Sequence, residues 1–435
     1  MNSKLNCTLG VLMLICFSAF AQLKNKPALE EDFMDMGFGI FIHWSMDSQL
    51  GSVISHSLVG ASKDYVDKYI NELPKTFYPD KFDADEWARL FKITGAEYVV
   101  FTTKHHNGFC MWDTKTTEFN IMNTPYGKDI TDMLFKALRK QGLKVGVYFS
   151  PEDFYFLNEQ GTLISRKREK SQITENTELL EYDKAQVKEL VSNYGPIDVM
   201  FFDAFKTKPL VQYVHSLDPN IVVTRGEMKT PEQEIPDAPM PGPWETCMTM
   251  GTQWQYKPTN EVYKDGTDLI EKLIEIRAKG GNFLMNIGPK PNGEIPIEQE
   301  ERLREIALWM FVNDEGIKNV RPLPTIIRDG DMWFTKNKDK NTVYVFIKAQ
   351  KDWFKGFRRN FLLKNLKVTE NTTVSVLGQN DLVVEYWPEN SPTSRIIEHE
   401  KLIEISISRA QRLYNNTVWP NPIVVKLTNV EFINN

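Results

Sequence analysis

The sequence predicts a (β/α)8-like barrel with one unit irregular or missing, followed by a C-terminal antiparallel β-sandwich. Three observations carry this. Short, continuously apolar runs alternate with helical patterns, as in a parallel sheet covered on both faces. After Arg321-Pro322-Leu323-Pro324 the texture changes to short strand candidates separated by turns. The length of 435 residues holds one large barrel plus an accessory domain. The expected division is residues 1–21 as a leader, 22–322 as the barrel and 323–435 as the sandwich.

The first strand reads Gly37 to Ile42 and ends at His43. The second, Tyr98 to Phe101, ends at Lys104-His105-His106. Lys144 to Phe149 ends at Ser150, and Asp198 to Phe202 ends at Asp203. Ile221 to Val223 ends at Thr224-Arg225, Trp244 precedes Glu245, and Phe283 to Met285 ends at Asn286. Asp83 to Thr94, Ile130 to Gln141, Asp183 to Ser192 and Leu269 to Lys279 carry helical patterns between them. No GxGxxG opens the first helix, which argues against an open dinucleotide-binding sheet. In a barrel the C-terminal strand ends converge on one face, so polar residues there read as functional. The tail candidates are Thr342 to Ile347, Phe361 to Val368, Thr372 to Leu377, Leu382 to Trp387, Leu402 to Ile407 and Pro422 to Leu427.

The hydrophobic fraction of 41% and charged fraction of 25% are those of a globular chain, not a disordered or polytopic membrane one. A net charge of −6 offers no basic surface for nucleic acid. Lys4, the apolar run Leu9 to Phe17 and Ala19-Phe20-Ala21 form an export signal with Gln22 as the mature start, so a periplasmic or secreted location is expected. Cys16 is the lipid-anchor alternative, but Leu14-Ile15 before it is a poor context. Beyond the leader only Cys110 and Cys247 remain, too few for a disulfide framework.

Asp203 ends an apolar strand with no cation beside it in sequence, and Arg225, at the next strand end, is placed to hold it ionised. Glu245 stands in Pro243-Trp244-Glu245-Thr246-Cys247, which reads as an aromatic loop that would keep the acid protonated. A nucleophile or base with an acid is the pair glycoside hydrolysis needs. Glu152, Asp153 and Glu227 also follow strand ends and are rival acids. His105 and His106 read as hydrogen-bonding to ligand hydroxyls; as neighbours on a strand they would face opposite ways, and no HExxH accompanies them, so no metal is expected. No P-loop or GxSxG elbow is present.

At these residues the chain resembles the α-L-fucosidases of glycoside hydrolase family 29. The matching stretches are GFGIFIHW, FYPDKFDADEWARLFKITGAEYVVFTTKHHNGFCMWD, KQGLKVGVYFSP, YGPIDVMFFD, PWETCMT and GGNFLMNIGPKPNGEI. The resemblance implies a retaining exo-glycosidase for terminal α-L-fucosides, with Asp203 as nucleophile and Glu245 as acid/base. It implies His43, His105 and His106 as sugar-hydroxyl ligands and Arg225 as the nucleophile's support. Trp44, Trp112, Phe201 and Trp244 lie in or beside the same segments and are expected to line the pocket.

The chain departs from the family pattern in places. His43-Trp44-Ser45 and the following Ile54 to Ser62 contain no Glu-Trp sugar-contact pair. Phe201 fills a slot often held by Trp, and Ala204-Phe205 replaces glycines after the nucleophile. These changes touch the wall expected around the C6 methyl of fucose, with Ser55, His56 and Ser57 as new polar contacts. The alternative substrate is therefore α-L-galactose or its 6-sulfate from a red-algal polysaccharide; a catalytically silent sugar-binding protein is the alternative of another class. The expected partner is the end of an oligosaccharide or polysaccharide, with no cofactor, no membrane span and no oligomeric state implied.

Overall fold

The computed structural model describes residues 24–433 other than 349, 351, 355, 383–390, 401 and 410–419. The expected leader and most of the Leu382 to Trp387 strand candidate lie outside the described residues.

Seven parallel strands form the first sheet: β1 (Phe38–Ile42), β2 (Tyr98–Lys104), β3 (Lys144–Phe149), β4 (Val199–Phe202), β5 (Val222–Val223), β6 (Glu245–Thr249) and β7 (Asn282–Ile287). Their order is β5-β4-β3-β2-β1-β7-β6. The strands are buried almost throughout because one face packs inside the barrel and the other under helices. The helices are α1 (Pro27–Met36), α2 (Lys63–Asn71), α3 (Ala84–Ile93), α4 (Ile130–Lys140), α5 (Phe154–Glu159), α6 (Thr177–Asn193), α7 (Lys208–Leu217), α8 (Gly266–Ala278) and α9 (Ile297–Asn313). Asp83, Asp129, Asp153, Asn176 and Asp265 start α3, α4, α5, α6 and α8 by accepting a first-turn N–H.

The gap between β5 and β6 accounts for the irregular unit. The chain from 228 to 233 runs beside β6 through the parallel bridges Lys229↔Trp244 and Glu232↔Cys247. Glu245 donates its N–H to Lys229, and Cys247 donates its own to Pro231. This segment takes most of an eighth strand's place without regular pairing.

Phe41, Tyr98, Val100, Tyr148, Val199, Phe201, Val222, Cys247 and Leu284 fill the barrel interior. Gly39 is required there, since a Cβ on it would lie 2.4 Å from the Tyr98 ring. Helix α1 closes the N-terminal end, with Phe33 5.4 Å from Tyr98 between ring centres. Beside it Arg277 is buried and donates to the carbonyls of Met34, Gly281, Ile317 and Val320.

Among the described residues the tail forms three antiparallel sheets, of six, three and two strands, around a shared core of Phe334, Val345, Leu363, Ile405 and Val425. Thr342–Ile347 is a strand as read; Phe361 to Val368 resolves into Arg358–Lys364 and Leu366–Lys367. Thr373–Val376, Leu402–Ser408 and Ile423–Thr428 cover the other readings. The largest sheet takes its first strand from Val320–Pro322, so the tail starts on the barrel side of the expected boundary. Trp309 of α9 donates its indole N–H to Pro422 across the junction.

Candidate active site

A cavity of about 710 Å³ opens at the C-terminal end of the barrel strands. Phe41, Tyr148, Phe201 and Cys247 are inward-facing strand residues that supply its floor. His43 and His105 follow β1 and β2, and Trp254 follows β6.

Asp203 stands one residue beyond β4 and keeps 19% of its side chain exposed. Its Oδ2 accepts from Tyr148 Oη at 2.7 Å and lies 3.3 Å from His106 Nε2. Its Oδ1 lies 3.0 Å from Arg225 Nη1. Burial alone would raise its pKa, but His106 and Arg225 outweigh burial and hold the carboxyl well below the usual range. An ionised carboxylate held by two donors, Tyr148 and Arg225, with His106 beside it can act as a nucleophile.

The same Arg225 nitrogen lies 3.0 Å from Glu232 Oε2. The two carboxylate oxygens can therefore be no farther apart than twice 3.0 Å. Arg225 also lies 4.8 Å over the Phe201 ring, which fixes its plane. Glu232 lines the cavity with 43% of its side chain exposed, placed there by the backbone bridge to Cys247.

His43 and His105 are neutral. Burial pushes His43 down to about 3, with the Asn286 bond opposing. Burial, aided by His106 and His43, pushes His105 well below its ordinary value. Asn286 donates its amide N–H to Trp254 O at 2.5 Å, so its Oδ1 faces His43 Nδ1 at 2.6 Å. His43 Nδ1 must therefore carry the proton, which leaves Nε2 an acceptor. His105 Nδ1 accepts the His106 backbone N–H at 2.9 Å, so its Nε2 is a donor.

Other sequence-predicted residues lie elsewhere. Glu245 is the first residue of β6, not part of a loop, and so sits toward the closed end of the barrel with none of its surface exposed. Its Oε2 accepts from Tyr98 Oη at 2.5 Å, and burial raises its pKa to about 7 against the Tyr98 and Thr224 hydrogen bonds. Sealed beneath Cys247, it cannot reach a leaving group in the cavity. Trp44 packs against Phe77, Phe82 and Trp87 in the outer core. Trp112 is buried and donates to Glu189. Trp244 is buried against Gly281 at the start of β7. None of the three lines the cavity.

His106 is not a cavity residue either: it bonds Ser150 and braces Asp203. His105 and His106 lie past the end of β2, so strand alternation does not separate them, and their ring centres are 4.6 Å apart. With Asp203 they bring one potential ligand atom each within 4.8 Å of one another. His56 does line the cavity, as do Ser55 and Phe201, whereas Ser57 does not.

Of the rival acids, Glu227 lines the cavity whereas Glu152 and Asp153 do not. Glu152 is buried with Arg166 Nε at 2.6 Å. Asp153 caps α5 and pairs with Lys104. Glu227 accepts from the Asn25 N–H and lies 2.8 Å from His215 Nε2.

Sequence reasoning missed Tyr148, Trp254, Arg166 and Glu232. For Tyr148 a signal existed: it pairs in register with Phe201, which fixes it in the same interior layer. For the three loop residues no periodicity pointed inward.

The α-L-fucosidase family model matches residues 17–315. The plasma α-L-fucosidase of Rattus norvegicus is 28% identical over 429 residues, covering 87% of this chain and 89% of its own. Among solved structures, α-L-fucosidase isoenzyme 1 from Paenibacillus thiaminolyticus superposes with a TM-score of 0.72 at 26% identity, covering 92% of this chain and 99% of that one. A Bacteroides thetaiotaomicron family 29 α-L-fucosidase, trapped as a covalent intermediate, shares the fold at a TM-score of 0.71 and 22% identity over 95% of this chain and 98% of its own. With the barrel, its sandwich and a carboxylate-bearing cavity in place, these matches make the chain a glycoside hydrolase that belongs to the α-L-fucosidase family, glycoside hydrolase family 29.

Proposed function

We propose that this enzyme is an exo-acting retaining α-L-fucosidase with Asp203 as nucleophile and Glu232 as acid/base. The observation that carries the reading is the shared Arg225 guanidinium, 3.0 Å from each carboxylate. The resulting bound agrees with the roughly 5–5.5 Å spacing of retaining glycosidases. Asp203 attacks the anomeric carbon while Glu232 gives its proton to the leaving oxygen. Ester formation removes the Asp203 charge, and Glu232 then takes a proton from the water that releases the sugar. His43 accepts from one sugar hydroxyl and His105 donates to another. The covalent intermediate named for the Bacteroides thetaiotaomicron relative supports the two-step course.

The test is incubation with a 2-fluoro-fucosyl fluoride followed by peptide mass spectrometry. A fluorofucosyl adduct on the peptide containing Asp203, absent in Asp203→Asn, is expected. Turnover of an aryl α-L-fucoside with an adduct on another residue overturns the assignment, and a catalytically silent sugar binder would show neither turnover nor adduct.

A second reading, an α-L-galactosidase, is favoured by Ser55, His56 and Arg166, which put polar groups on the cavity wall. A bare methyl group gains nothing from them, whereas a 6-hydroxyl or 6-sulfate does. Comparing aryl α-L-fucoside with aryl α-L-galactoside separates the two.

A further inference from the structure

We infer that Phe205 is a stacking platform for the leaving-group sugar. The inference rests on the glycosidase reading above. Phe205 lines the cavity two residues from Asp203, yet is 86% exposed. Burying an aromatic side chain is favourable, and almost none of that gain is realised in the free protein. The neighbouring backbone is anchored on both sides. Lys206 pairs with Glu175 at 3.1 Å, and α7 begins at Lys208, so Phe205 sits on a short, tied connection. Ala204 before it leaves the approach open.

The cavity's size points the same way. Its 710 Å³ lies in the range of roughly 300–1,000 Å³ that drug-sized ligands fill, more than one 6-deoxyhexose occupies. His43, His105, Tyr148, Phe41 and Phe201 surround the deep part, where the cleaved sugar belongs. Ala204, Phe205, Glu232 and Thr230 line the cavity from half-buried or exposed positions. The C–H face of a pyranose is apolar and matches an aromatic face. An exposed ring lining the cavity that also carries Glu232 is therefore where a departing sugar, and an incoming acceptor sugar, would rest.

The experiment compares wild type, Phe205→Ala and Phe205→Trp on α-L-fucosyl fluoride, which has no leaving sugar, and on a fucosyl-galactose disaccharide. Phe205→Ala is expected to keep kcat/KM on the fluoride within about twofold and to lose about tenfold on the disaccharide, with Phe205→Trp close to wild type. Equal loss on both substrates, or no loss on the disaccharide, overturns the platform. Saturation-transfer NMR with methyl β-D-galactoside reads the same contact without turnover. Transfer lost in Phe205→Ala supports the platform, and transfer undiminished overturns it. Failure of wild type to cleave either substrate would instead count against the glycosidase reading.

Discussion

His43 and His105 face one cavity with opposite hydrogen-bonding character. The Asn286 amide forces His43 to turn a lone pair inward, and the His106 backbone N–H forces His105 to turn an N–H inward. The two neutral imidazoles thus present one acceptor and one donor to the cavity without adding charge.

Removing either half should cost binding and rate together. His105→Ala is expected to lower kcat/KM on an aryl α-L-fucoside by about 10²-fold or more, since a site built around a hydroxyl contact loses heavily without it. Asn286→Leu frees the His43 tautomer and should cost about tenfold through KM. Steady-state kinetics check both, and an Asn286→Leu enzyme with unchanged KM would contradict the tautomer argument.

Glu232→Ala should lose most activity on a disaccharide but little on fucosyl fluoride, because only poor leaving groups need protonation. Azide should restore turnover and give a fucosyl azide of retained configuration. An equal loss on both substrates removes Glu232 from the acid role.

Glu245→Gln should leave kcat nearly intact, since the carboxyl is sealed from the cavity and glutamine still accepts from Tyr98. Its effect belongs to stability. The folded pKa, about 7, lies above the ordinary 4.5. The stabilising contribution of the protonated form is complete below 4.5 and is lost as pH rises through 7. The variant should therefore gain on wild type across that window, by roughly 3 kcal/mol at its upper end. Urea denaturation at pH 5 and pH 8 measures it, and a gap that does not change with pH would refute the burial argument.

Lys104 is buried with its Nζ 3.0 Å from both Asp153 and Asp183. Burial raises Asp183 to about 8 even against that cation. Lys104→Met strands two carboxylates and should cost about 3–5 kcal/mol. The double variant Lys104→Met/Asp183→Asn should recover part of that loss in thermal unfolding.

Much of the barrel was legible because strands buried on both faces must be continuously apolar, as β1, β2, β3 and β4 are. Asp203, Arg225, His43 and His105 stood out because a polar residue ending such a run reaches the open face. Glu245 misled because Glu245-Thr246-Cys247-Met248-Thr249 is a mixed run that resembles a loop. Tertiary contacts with the 228 to 233 chain and Tyr98 make it a strand. The tryptophans misled because nearness to a strand end in sequence does not say which side of the wall a ring occupies. Glu232 had no local signal, since a neighbouring backbone aims it.

The 228 to 233 chain also has a bearing on ancestry. Its bridges Lys229↔Trp244 and Glu232↔Cys247 are main-chain pairings, so a short insertion before them would shift which residue meets the guanidinium. Asp203 has no such latitude, since it is pinned to a strand terminus by three side chains. Within this lineage the proposed nucleophile should align from sequence to sequence, while the proposed proton donor should shift and is better sought by superposition than by motif.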